Sequence, residues 1–459
     1  MSQAAPRGYL ERWALPVLLV LGLAHGVAYA LIVPPWQAPD EPGHYEHVRL
    51  LADVWRFTGS LEPDPALERE IIASLYANRY WEFLPHEMPA DMPERLGDLD
   101  TFAGRSRTLG RPSLSYLPYA LVVWPLRHQD VDLQLLVLRL ISASWLPLVV
   151  YLGWRCARVL FPDDIGPAVV AGALLALLPQ HAHLMASVND GNLAEVLCAA
   201  YFLVMATSAR MGLTVRRALA LGFLAMLALL CKNTALFLIP TTLVALPVLA
   251  LRRRVRGWAW AVAAAGTLAL PALGARFAPR SLRLESVLGR WETVVSAESY
   301  APDRLANYQR WALMTFESFW GRFGWMNIRM DGIVYAILAA CTVAALLGVL
   351  AQVVWPAWRK RLLPGAGRCV LLFVVSSAFS LAFVLGTFVV YYSPYGNFSQ
   401  GRYLFPVLLP LAVLAGYGAA AWSARRPSRT PAVLVLTGLT VLSLYALFGT
   451  VAGTFLGKT

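Results

Sequence analysis

The sequence predicts an all-α polytopic membrane protein of about 11 transmembrane helices, with a long first outer loop of surface helices. Three observations carry this expectation. Of 459 residues, 58% are hydrophobic and only 14% are charged, whereas a soluble domain is about half apolar and a quarter charged. The apolar residues fall in runs close to the ~20 residues that a spanning helix needs. The basic residues sit in short clusters between those runs. The composition excludes a cytosolic enzyme with a polar surface and a disordered chain. The formal charge of +12 is dispersed as a topology signal, which argues against a nucleic-acid partner. A single integral membrane unit, 1–459, is expected.

The runs place spans near 13–33, 132–153, 165–185, 190–209, 217–231, 235–251, 257–274, 331–355, 369–392, 403–422 and 431–453. Residues 114–126 are apolar but too short to cross, and read as a re-entrant or interfacial helix. The positive-inside rule tests the layout. With the N-terminus in the cytoplasm, the inner connections hold Arg7 and Arg12, Arg155 and Arg158, then Arg210, Arg216 and Arg217. They go on to hold Arg252, Arg253, Arg254 and Arg256, then Arg359, Lys360, Arg361 and Arg368, and finally Arg425, Arg426 and Arg429. Counting 114–126 as a full span would invert every later loop. An odd number of spans puts the C-terminus outside. Ala28-Tyr29-Ala30 after Arg7 and Arg12 would also suit a cleavable leader. The unusual residues that follow at once favour a retained span.

Two long segments lie outside. The first, 34–131, has 15 acidic and 9 basic residues, and the second, 275–330, has 5 and 8. The first reads as amphipathic helices lying on the membrane, as around 66–82. The five cysteines lie in or beside apolar runs without metal-ligand spacing, and read as small core residues. No P-loop or dinucleotide fingerprint occurs, so the chemistry belongs to the membrane or its outer face.

Five places carry polar chemistry. Asp40 and Glu41 follow the first span within Pro39-Asp40-Glu41-Pro42-Gly43-His44, and the prolines stiffen the backbone around them. A helix starting near Pro42 would make Asp40 its N-cap and put His44 and His47 on one face. The pair reads as a general base aimed at a membrane-surface substrate, or as a solvated helix cap. Asp40, Glu41, His44 and His47 are also metal-ligand types, so a divalent metal is admitted. Lys232 lies between two apolar runs, where a cation is costly unless paired. It reads as a phosphate contact, or as a snorkelling side chain. Arg402, opening the tenth span beside Tyr403, breaks the positive-inside trend. It could grip a lipid phosphate with two parallel hydrogen bonds, or anchor the helix at the interface. Asn189 and Asp190 sit in a tight outer turn, as site or as turn chemistry. Trp320, in an aromatic and glycine-rich stretch, suits sugar stacking or interfacial anchoring.

Together these residues suit sugar transfer from a lipid phosphate. Asp40 would deprotonate an acceptor hydroxyl, and Lys232 and Arg402 would stabilise charge on the departing phosphate. They resemble the GT-C superfamily of polytopic glycosyltransferases, which use polyprenyl-phosphate-linked sugars on the outer membrane face. Asp40-Glu41 matches the acidic pair that opens that superfamily's first loop. Pro112-Ser113-Leu114-Ser115-Tyr116 is similar to its Pro-x-x-Tyr-like segment. Cys231-Lys232-Asn233-Thr234 looks like the Thr-Lys-Gly-Pro segment of the aminoarabinose transferases. A bacterial family of predicted membrane proteins with a domain of unknown function is closer still. It carries Pro-Asp-Glu-x-x-His, Ser-x-Asn-Asp and Gly-Arg-Tyr-Leu-x-Pro, which are Pro39–His44, Ser187–Asp190 and Gly401–Pro406 here.

The resemblance implies an inverting transferase in the bacterial inner membrane. Its partners would be a polyprenyl-phosphate-linked sugar, membrane lipid, and an acceptor that is a glycan, a lipid or a protein. It implies Asp40 as base with Glu41 orienting it or the acceptor, and Lys232 and Arg402 on the donor phosphate. His44, Tyr116, Asn189, Asp190, Trp320 and Tyr403 would stand around the substrate. Lack of a large soluble C-terminal domain favours a single donated sugar. The alternatives are a transporter or flippase for lipid-linked glycans, or a surface-glycan polymerase or ligase. A transporter would carry charges along a midplane path. Here, away from the ends of the expected spans, only Arg139 and Glu195 are charged.

Overall fold

The structure is a computed structural model that describes residues 9–55, 61–84, 88–89, 91–99, 113–250, 264–270, 304–354, 365–391, 400–423 and 428–457, with single residues 109, 261 and 273. The described chain is helical except for one two-residue hairpin, β1 (Arg322–Phe323) against β2 (Ile328–Arg329). Among the described residues eight helical stretches are long and apolar enough to cross a membrane, and a ninth is a pair bent by 55°.

The helices in order are α1 (Tyr9–Ile32), α2 (Glu41–Val54), α3 (Pro65–Ala77), α4 (Tyr116–Val123), α5 (Val131–Ala143) and α6 (Leu146–Leu160). They continue as α7 (Gly166–Leu177), α8 (Pro179–Met185), α9 (Gly191–Met211), α10 (Val215–Cys231) and α11 (Leu238–Ala250). After them come α12 (Arg304–Trp320), the hairpin, α13 (Gly332–Val354), α14 (Ala366–Tyr391), α15 (Leu408–Ala420) and α16 (Arg429–Leu444), the last running on as a π-helix to Ala452. α5 and α6 form one 30-residue crossing, and α7 and α8 form the bent pair, broken at Pro179. The bend follows from proline, which lacks an N–H and clashes with the preceding turn.

Among the described residues the expected count of 11 is not reached by length and apolarity. α10, with 17 residues, lies at the short end of the range for a span. It nevertheless returns the chain to the end where α9 begins, because Lys232 after α10 meets Asp190 before α9 at 2.6 Å. The expected span at 257–274 lies outside the described residues except for 261, 264–270 and 273. There Thr267 donates to the Ala218 carbonyl of α10. The short apolar stretch 116–126 is α4 plus one 3-10 turn, as its length required.

Small residues let the spans touch, as expected where lipid supplies no hydrophobic drive between helices. A Cβ on Gly418 would stand 2.2 Å from the Ala345 carbonyl oxygen, so α13 and α15 meet backbone to backbone. Tyr29, Val150, Val169, Phe202 and Val413 lie in the main core, and α1 is an integral part of it.

The first loop is helical as expected, and α3 buries one face through Leu67, Ile71, Ile72 and Leu75. The loop builds a second core from Trp36, Tyr45, Leu51, Ile71, Leu75, Tyr80, Tyr119 and Leu135. α2 is buried from Glu41 to Ala52 rather than resting on the membrane by one face. The reason is a polar–aromatic lattice beneath it. Trp36 donates to Ser74, Tyr45 donates to Gln134 and Gln37 donates to the Tyr80 carbonyl. The hairpin closes over this loop, with Trp325 Nε1 donating to the Trp36 carbonyl and Arg322 N donating to Gln180.

Candidate functional site

Two aspartates at helix starts decline their ordinary task. Asp64 and Asp130 accept backbone N–H groups in the first turns of α3 and α5, the usual N-cap arrangement. Asp40 and Asp190 hold the same position before α2 and α9, and neither side chain caps. Asp40 also adopts a left-handed backbone, φ 64°, which aspartate tolerates better than most residues. Each carboxylate instead reaches a cation far away in sequence. Asp40 Oδ2 lies 2.6 Å from Arg402 Nη2, and Asp190 Oδ1 lies 2.6 Å from Lys232 Nζ.

The two pairs share one electrostatic neighbourhood. Asp40 is influenced by Arg402, His44 and Lys232, and Asp190 by Lys232, His44 and Arg402. Burial pushes both carboxyls up, but the cations outweigh it and hold both below the ordinary carboxylate value. Both are therefore ionised at neutral pH. His44, between the aspartates, is driven mainly by burial to a lowered pKa, so its ring is neutral. Its Nδ1 meets the Tyr116 hydroxyl at 2.5 Å, and His47 packs over the Tyr116 ring at 4.2 Å between centroids.

The 113–116 segment ties these parts together. Ser113 donates to the Cys231 carbonyl, Leu114 N to the Leu230 carbonyl, and Ser115 to the Asp190 carbonyl. The tie explains why an apolar segment too short to span carries serines. It docks on the turns that bear Lys232 and Asp190.

Arg402 is placed by the glycine before it. A Cβ on Gly401 would stand 2.2 Å from Phe319 N and 2.3 Å from the Thr315 carbonyl of α12. Gly401 N donates to Ser318, and the 3-10 turn Gly401–Val407 then presents Arg402 to Asp40. The guanidinium lies 5.7 Å over the Tyr403 ring, and its Nε has no hydrogen-bond partner among the described residues. The side chain of Asp40 is 53% exposed, against 12% for Arg402. The site thus offers a reachable carboxylate beside a cation with spare donors.

Other expected residues fall elsewhere. Glu41 is fully buried, with its oxygens 2.9 Å from Arg139 Nε and 2.5 Å from Arg139 Nη2. Arg139 takes both of its oxygens. Asn189 accepts from Gly191 N and donates to the Leu184 carbonyl, closing its own turn. Trp320 is buried in the core, edge-on to Phe316 and Phe319. At 9% exposure it is set among core side chains rather than beside Asp40 and Arg402 in any contact described.

Among the described residues a divalent metal finds no assembled donor set. Arg139 occupies Glu41, Tyr116 occupies His44 and covers His47. Among the described residues no group of three or more His, Cys, Asp or Glu is arranged to hold an ion.

Sequence reasoning noted Arg139 and Glu195 only as charges inside spans. Arg139 holds Glu41, and Glu195 lies 2.7 Å from His181 Nε2. Their signal was present, since a charge in an apolar run needs a partner. The partner's identity was not.

Fold and site together define a polytopic helical membrane protein with a two-carboxylate, two-cation site at one end of its bundle. The chain belongs to the family described as "Predicted membrane protein (DUF2142)", whose model matches residues 23–412. No curated protein matches the sequence. Among solved structures, it is similar to ArnT from Cupriavidus metallidurans bound to undecaprenyl phosphate. That likeness has 13% identity, covers 97% of this chain and 73% of that one, and has a TM-score of 0.48. The apo state of that protein matches at 13% identity over the same shares, with a TM-score of 0.45. The Archaeoglobus fulgidus oligosaccharyltransferase in the apo form matches at 11% identity over 98% of this chain, with a TM-score of 0.45. This chain covers 56% of that protein's length. Likenesses of this size leave the functional argument to rest on the site.

Proposed function

We propose that the protein is a membrane glycosyltransferase of the GT-C type. It moves a sugar from a polyprenyl-phosphate donor to an acceptor hydroxyl on the extracytoplasmic face of the bacterial inner membrane. The observation that carries this reading is the meeting of Asp40 with Arg402 and of Asp190 with Lys232 at one end of the bundle. A reachable ionised carboxylate next to two cations is what the reaction needs.

The donor phosphodiester carries one negative charge, and the leaving polyprenyl phosphate gains another. Arg402 and Lys232 supply charge where it builds, which is the most effective place for a fixed cation. To bind phosphate, each cation turns part of its fork or ammonium from its aspartate to the phosphate oxygens. That exchange uncovers Asp40. The Asp40 carboxylate takes the acceptor's proton as the acceptor oxygen attacks the anomeric carbon. The bond to the phosphate oxygen breaks on the opposite side, so a β-linked donor gives the inverted product. Tyr403, His44 and Tyr116 form the walls nearest the cations. Glu41 and Arg139 stand behind Asp40 and do not touch substrate.

The test is transfer by the purified full chain in detergent. It would be given a panel of short-chain polyprenyl-phosphate sugars, with cell-envelope extract as acceptor, and release of polyprenyl phosphate would be followed. Release by wild type and its loss in Asp40→Asn supports the reading. Equal release by both removes Asp40 from the mechanism. Lipid scrambling without release favours a flippase instead.

A further inference from the structure

Arg139 lies in α5 at the level where α1 leaves the bundle, and it is 3% exposed. Its guanidinium makes four hydrogen bonds. Nε and Nη2 take the two oxygens of Glu41 at 2.9 and 2.5 Å. Nη1 donates to the Val33 carbonyl at 2.7 Å and Nη2 to the Pro34 carbonyl at 3.0 Å. Glu41 also accepts the backbone N–H of Val188 at 3.2 Å. One buried pair therefore joins three stretches: the exit of α1, the start of α2 and the turn between α8 and α9. Asp40 is the residue before Glu41, and Asp190 is two residues after Val188. Neither aspartate side chain caps its helix, and besides Glu41 the second turn is held by Asn189 and Asn192, which donate to the Leu184 and Ser187 carbonyls.

We propose that Arg139 is a positioning residue that sets the register between the turns carrying Asp40 and Asp190, acting through both oxygens of Glu41. The catalytic consequence rests on the transferase reading above. The mechanical part does not.

The geometry gives the pair a task that charge alone cannot perform. A lysine at 139 would neutralise Glu41 but would offer one compact ammonium in place of a planar fork. It could not serve two carboxylate oxygens and two carbonyls at fixed angles. A misplacement of about 1 Å between catalytic groups costs roughly 10²-fold in rate, so loss of register should appear in turnover first.

The experiment uses the full chain in detergent with three variants, Arg139→Lys, Glu41→Gln and the double E41Q/R139Q. The double variant leaves no unpaired buried charge and so guards against simple misfolding. Hydrogen exchange is read over 33–44 and 186–192, and donor turnover is measured alongside. The expected result is faster exchange in both windows together, including the Val188 amide, in the Lys and double variants, while α13 is unchanged. Turnover should fall at least about 100-fold, with donor KM moving less than about threefold. Recovery of wild-type exchange and turnover by Arg139→Lys would reduce the pair to charge neutralisation and overturn the proposal. Loosening of 33–44 without 186–192 would also overturn it, as would loosening of both with full turnover. If wild type transfers no sugar from any donor in the panel, the transferase reading fails, and exchange in the two windows alone decides whether Arg139 ties them.

Discussion

The site depends on two aspartates that give up helix capping. An N-cap carboxylate contributes about 1 kcal/mol to its helix, and Asp40 and Asp190 forgo it to hold cations. Asp40→Asn should therefore leave folding intact. Turnover should fall by roughly 10²–10⁴-fold, the usual contribution of a general base, while short-chain polyprenyl phosphate still binds. Equal turnover would exclude Asp40 as base. Arg402→Ala should weaken that binding and also move the acid limb of the rate profile. Because Arg402 holds the Asp40 carboxyl below its ordinary value, the wild-type limb should lie below about pH 3.9, and removing the guanidinium should raise it.

The histidine in the same cluster makes the opposite kind of test. Burial lowers the His44 pKa, so the folded state binds that proton less readily than the unfolded chain does. Its contribution to stability is complete above about pH 6.5. It is lost as pH falls through that value toward the folded pKa. Thermal unfolding of wild type should thus shift downward between pH 7 and pH 5 more than that of His44→Gln. Parallel curves would show that His44 is not titrating in that window.

At the level of elements, the segment that presents Arg402 is held by a close backbone approach. A methyl at Gly401 would meet α12 backbone at 2.2 and 2.3 Å, whereas one at Gly438 on α16 meets nothing within 4 Å. Gly401→Ala should cost about 1–3 kcal/mol through overpacking and lower phosphate affinity in the same variant. Gly438→Ala should leave melting temperature and binding near wild type. If both glycine variants bind phosphate equally well, the 3-10 turn is not what aims Arg402. α10 makes a related point. Its 17 residues are at the short end for a span, and the Lys232–Asp190 contact shows that it returns the chain to the site end. Length alone does not decide the role of a helix whose neighbours set its reach.

For the whole molecule, the contacts make the described spans alternate between the two ends. α1 rises to the site, where Val33 meets Arg139. Near its far end α7 begins beside Ser428, which meets Asp164 just ahead of it. The last helix returns to the site end, where Tyr445 bonds Asp331 and Phe455 packs on Phe83. Residues 9 and 455 therefore lie at opposite ends. The positive-inside rule expects the basic clusters in the cytoplasm, which predicts that reporters fused at the C-terminus are active when they require an extracytoplasmic location. Reporters at the N-terminus should be active only when they require the cytoplasm. Both reporters on one side would refute the orientation and, with it, the proposed side of catalysis.

The sequence by itself determined that the chain is a helical membrane protein. It also marked the places where polar chemistry would gather. Apolar runs and loop charge report directly on the solvent, and a charge beside lipid is too costly to be idle. Lys232 and Arg402 were visible for that reason, Asp40 as half of an acidic pair just after the first span, and Asp190 by its tight outer turn. Their pairing was decided only by tertiary structure, because Asp40 finds its cation 362 residues away and Asp190 finds its own 42 away. Glu41 and Trp320 show the same limit from the other side. Both have the residue types of a site, and packing turned one onto Arg139 and the other into the core. Periodicity fixes which face of a helix is apolar, but what that face meets depends on where distant helices come to rest.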